Sequence, residues 1–82
     1  MNTLDTTGWD SYPFTVNGIE YLSKVKPNSD MANRIKMVPL PVFISMNEGC
    51  VKELIGNVSR DEAIAKLNEI NENASEAVIE IV

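Results

Sequence analysis

The sequence predicts a small α+β domain: an N-terminal β-hairpin and a mostly antiparallel sheet packed against one main α-helix, closed by a C-terminal strand. Three features carry that expectation. Asn17-Gly18 stands between two alternating runs, Ser59-Arg60-Asp61-Glu62 opens a helical repeat, and the chain finishes on the β-branched run Ala77 to Val82. With 82 residues there is room for one core. A domain of that size buries only about 60% of the surface its unfolded chain exposes, so help from a partner fits its thin stability margin.

Residues 1–11 are rich in Asn, Thr, Asp and Gly, with Leu4 and Trp9 the only large apolar side chains. They read as a flexible N-terminal segment, and residues 12–82 as the single α+β domain. Trp9 either tucks against the core or stands out as an anchor for a partner.

Tyr12 to Val16 and Ile19 to Val25 flank Asn17-Gly18. A type I′ turn needs positive φ at both central residues, and Asn-Gly supplies them. A two-residue loop sets Val16 against Ile19, Thr15 against Glu20 and Phe14 against Tyr21. Phe14, Val16, Ile19 and Tyr21 then share one face.

Pro27 ends the second strand. Asn28 or Ser29 can cap a short helix over about 30–36, with Met31 and Ile35 four apart; an ordered loop is the alternative. Val38-Pro39-Leu40-Pro41 cannot be a central ladder strand, because each proline lacks a donor. Val42-Phe43-Ile44-Ser45-Met46 reads as a buried strand starting at an edge or bulge, and Asn47-Glu48-Gly49 as a turn. Over Cys50 to Ile55, Val51, Leu54 and Ile55 fit a helical turn ended by Gly56, and also a short strand pairing with 42–46; the reading leans to helix.

Ser59-Arg60-Asp61-Glu62 is a capping box, with Val58 and Ala63 placed for a hydrophobic staple. The helix is expected to run to about Asn73. Ala63, Leu67, Ile70 and Ala74 form its apolar stripe, and Asp61, Ala65, Glu69, Glu72 and Glu76 fall opposite.

Composition bounds the chemistry. There is no histidine and one cysteine, Cys50. Imidazole sites for zinc, copper and haem, and most triad chemistry, are therefore not expected, and no cofactor or metal is. The four glycines are scattered singly, without a phosphate-loop pattern. Cys50 has no evident base and reads as an inert thiol. Glu69 and Glu72 share a helix face, but the histidine that such di-metal sites add is lacking. No enzyme is predicted. No apolar run approaches the roughly 18 residues that span a bilayer, no secretory signal is recognisable, and a lone cysteine fits a reducing cytoplasm. The sequons at Asn57 and Asn73 are chance matches among nine asparagines.

Charge is distributed unevenly. Residues 1–46 hold four acids and four bases; residues 47–82 hold eight acids and three bases, which makes the whole net −5. Lys24, Lys26, Arg34 and Lys36 crowd together, but without interleaved aromatics they make a poor nucleic-acid surface, and no direct nucleic-acid binding is expected. After Lys66 come Glu69, Glu72, Glu76 and Glu80 with no base. Acids at a helix C-terminus oppose the macrodipole. They read either as a solvated face that keeps the protein dissolved or as a surface for a basic partner. The expectation is a small acidic, non-enzymatic protein-binding module, an inhibitor or charge mimic acting through Asp61, Glu62, Glu69, Glu72, Glu76 and Trp9. The alternative is a self-associating structural subunit, a homodimer joined through a sheet edge such as the C-terminal strand.

Overall fold

The computed structural model describes residues 5–82. Its elements are β1 (Asp10–Val16), β2 (Ile19–Val25), α1 (Asp30–Lys36), α2 (Leu40–Leu54), α3 (Arg60–Ile70) and β3 (Ala77–Ile81). The strands form one antiparallel sheet in the order β1-β2-β3. The α+β class is as the sequence predicts, with three helices rather than one main one.

The hairpin has the expected register, Val16 opposite Ile19 and Phe14 opposite Tyr21. Asn17 and Gly18 take φ 52° and 81°, the pair that a type I′ turn requires. The rings of Phe14 and Tyr21 stack at 5.4 Å, and Tyr21 is buried deeply enough to push its phenol pKa up. β1 begins at Asp10, two residues before Tyr12, where the hairpin was expected to start. Of the segment 1–11, residues 1–4 lie outside the described residues.

Segment 38–55 departs from expectation. Residues 42–46 are not a strand and 47–49 are not a turn: both belong to α2, which runs unbroken through Cys50 to Leu54. Of the two readings of 50–55, the helix holds. Pro39 is the N-cap and Pro41 lies in the first turn. The first amides of a helix have no intrahelical acceptor, so prolines there forfeit nothing and preset φ. The prolines that bar a central strand thus start a helix. Gly56, at φ 77°, donates its N–H to the Val51 carbonyl and ends α2.

α3 starts where the capping box places it, with the Ser59 hydroxyl accepting from the Glu62 N–H at 3.3 Å. It ends at Ile70, three residues short of the expected Asn73, because Asn71 leaves the helix to serve β3. The Asn71 amide donates to the Ile79 carbonyl at 2.8 Å and accepts from the Ile79 N–H at 3.2 Å, copying a strand-to-strand pair with a side chain. Ser29 caps α1 by accepting from the Ala32 N–H.

α2 and α3 lie on one face of the sheet. Phe14, Val16 and Tyr21 meet Val51, Ile55, Ala63 and Leu67 there, all nearly dry. Tyr12 meets Phe43 edge-on at 5.1 Å, fastening α2 to β1. The other face carries Leu22, Lys24, Val78 and Glu80, as the pairing of β2 with β3 requires. The 5–9 segment returns across it: Thr6 reaches the Glu80 carboxylate at 3.3 Å, on the strand farthest from β1.

Both sheet edges are interrupted. Pro13 sits opposite Leu22, and the alternation set by the turn aims its missing N–H outward, where no ladder bond is lost. On β3 the outward pair of Ile79 is taken by Asn71. Pairing of a further strand on either edge meets a break at its centre.

Candidate functional site

α3 presents one face to the core and one to solvent. Ala63 and Leu67 are buried. Asp61, Glu62 and Glu69 on the helix, and Glu72 just beyond it, are exposed. Asp61 and Glu62 occupy the first turn and Glu69 the last, about 12 Å apart along the axis at 1.5 Å per residue. The acids form a strip rather than a cluster.

The two bases of the helix do not neutralise that strip. Arg60 donates to the Val82 carbonyl at 3.3 Å, and Lys66 donates to the Ile55 carbonyl at 3.2 Å. Each cation is aimed at backbone, and both bonds fasten α3 to its neighbours. Among the described residues the ion pair is Lys24 with Glu80, 3.6 Å apart on the other face of the sheet. The carboxylates of Asp61, Glu62, Glu69 and Glu72 form no ion pair there. Their field acts on solvent and on whatever approaches α3.

Glu76 stands apart from this strip. Its carboxylate accepts the Met31 N–H at 3.0 Å, in the first turn of α1, and that bond holds its pKa below the usual carboxylate range. Its backbone carbonyl accepts from Lys26. Glu76 therefore docks α1 onto the end of the sheet. Trp9 is half-buried and closes a turn by donating its N–H to the Thr6 carbonyl, in the segment that crosses the far face of the sheet. The structure puts Asp61, Glu62 and Glu69 on the outer face of α3 with Glu72 exposed in the turn that follows, and places Glu76 and Trp9 elsewhere.

Two features were missed by the sequence reading. The first is a groove of about 290 Å³ between α2, α3 and the sheet, with Met31, Phe43, Met46, Cys50, Ile70 and Ile79 in its walls and Ser23 at its floor. Ser23 occupies an inward position on the central strand between Tyr21 and Val25. A side chain that small under two helices leaves a hollow, and this was the signal available. The residues lining the groove include no acid or base beside the Cys50 thiol. The second is an exposed apolar ridge running from Met37 and Val38 into the start of α2, at Leu40, Val42 and Met46. Among the described residues no group of three or more Cys, Asp and Glu side chains is disposed to hold a metal ion, and no helix is long and apolar enough to cross a membrane.

Comparison of the chain with protein-family models, with curated proteins and with solved structures finds no match.

Proposed function

We propose that the chain is a small acidic, non-enzymatic protein-binding module that offers the outer face of α3 to a basic surface on a partner protein, as an inhibitor or a charge mimic. Asp61, Glu62, Glu69 and Glu72 carry the contact. One observation supports it above the others: Arg60 and Lys66, the bases that could have balanced these acids, are turned onto backbone carbonyls instead. An acidic strip left unbalanced steers oppositely charged partners and speeds their encounter. Two of its members also work against the helix. Glu69 lies in the last turn and Glu72 just beyond, where the macrodipole favours cations. Selection for helix stability alone would place Lys there.

The test uses that asymmetry. Glu69→Lys with Glu72→Lys favours the C-terminal end of α3, so the variant keeps its fold. Wild type immobilised in cell lysate is expected to retain a partner at low salt and release it at moderate salt, and the variant to retain none of it. Equal recovery of the same partner by both proteins contradicts the reading.

The second reading, a self-associating structural subunit, is favoured by the exposed ridge that leads into α2, where five large apolar residues between 37 and 46 face solvent.

A further inference from the structure

We propose that the apolar ridge of Met37, Val38, Leu40, Val42 and Met46 is covered by the outer face of α3 from a second copy of this chain. This goes beyond the binding of a basic partner, and it replaces the sheet edges as the route to self-association.

The ridge is more than scattered surface hydrophobes. Met37 is 84% exposed, Met46 64% and Leu40 52%, and they follow one another along the chain. Val42 and Met46 stand one turn apart on α2, Val42 on its outer side and Met46 on the flank that also walls the groove, while Phe43 and Val51 are buried on its inner side. A helix that is apolar on both sides is ordinarily covered on both. Contiguous exposed apolar patches on small proteins mark contact surfaces.

Charge selects the occupant. Arg34 and Lys36, both exposed, form the last turn of α1 and lead directly into Met37, and Lys26 is exposed before that helix. A basic partner of the kind proposed for α3 is repelled from such a rim. The rim calls for a surface that is acidic and partly apolar. The outer face of α3 supplies the acids, and its apolar part is Ile64, 38% exposed on the flank of the helix toward β3, nearest Asp61. The contact joins unlike surfaces, so it closes as a reciprocal pair or continues from copy to copy. It also occupies the strip that the basic partner needs, and the two events exclude each other.

Sedimentation equilibrium across protein concentration tests this. At low salt the wild-type mass is expected to rise above 9.1 kDa as concentration increases. Arg34→Glu with Lys36→Glu, and separately Glu69→Lys with Glu72→Lys, are each expected to weaken association by about tenfold or more. An equimolar mixture of the two restores it, because each reversed face then meets its complement. Val42→Ser with Met46→Ser weakens it without altering charge. The proposal is overturned by a wild type that stays at monomer mass at every concentration, which gives the ridge to a foreign acidic chain or to solvent. It is equally overturned if the Arg34/Lys36 and Val42/Met46 variants associate as wild type does, or if the folded charge variants fail to complement. The Arg34/Lys36 variant leaves α3 intact, so its capture of a basic partner separates this proposal from the one above.

Discussion

α2 and α3 cover the same face of the same sheet, yet their outer sides differ. α3 is finished for water: outside Ile64 its solvent face is polar or small, and what it lacks is charge balance. α2 is finished only on its inner side, where Phe43 and Val51 are buried; Val42 and Met46 stand in solvent away from that line, and Leu40 and Leu54 stand in solvent at its two ends. One helix leaves an electrostatic requirement open and the other a hydrophobic one. Helices with the same structural duty can therefore hold different relations to a partner, and the outer side, not the packing, records which.

The inner sides are expected to be equivalent. Ile55→Ala beside α2 and Leu67→Ala on α3 each remove a residue no more than 4% exposed, and each should lower the unfolding free energy by about 2–5 kcal/mol in urea titration. Val42→Ser with Met46→Ser should change the monomer by about 0.5 kcal/mol or less per site. A large loss from the outer pair in dilute protein would break the comparison, since those residues would then be core.

The fastening of α3 comes next. Asn71→Ala deletes the side-chain pair with Ile79 and strands its backbone groups, at a cost of about 1–3 kcal/mol. Amide exchange at Ile79 should quicken more than at Tyr21 on the central strand.

Glu76 supplies a pH-dependent contribution through α1. Its pKa is lowered from 4.5 by the Met31 N–H, so the stability it brings is present above that value and is lost as pH falls below it. Glu76→Gln should therefore flatten the acid limb of the stability profile. An unchanged limb would mean that the carboxylate does not hold α1.

The smallest effect runs the other way. Glu69→Lys with Glu72→Lys should leave stability equal or raise it by about 0.3–1 kcal/mol, through the macrodipole. A gain in stability with a loss of binding is the signature of residues kept for a partner.

Much of this fold was legible in the residues. Asn17-Gly18 fixes a turn and, through it, a register, because one face of the hairpin is wet and the alternation shows. Ser59 and the Ala63–Leu67 stripe locate α3 in the same way. The last turn of α2 was legible from Val51, Leu54 and Gly56, but its first part was not, because the apolar run from Val42 to Met46 shows no 3.6-residue period and imitates a buried strand. The burial implied by that run was real in kind, but the structure leaves its outer half exposed. The acidic strip was legible as charge, whereas the turning of Arg60 and Lys66 onto carbonyls depends on where Val82 and Ile55 come to rest. Glu76 was assigned to the strip by carrying helical phase past Ile70, where Asn71 has already ended the helix.

The most direct test is kinetic. The association rate of the captured partner with wild type is to be followed as ionic strength rises, beside the Glu69→Lys, Glu72→Lys variant. A fast wild-type rate that falls steeply with salt is expected, and a slower variant rate with a shallower slope. Equal rates with equal salt slopes would contradict the assignment of the acidic face of α3 as the binding surface.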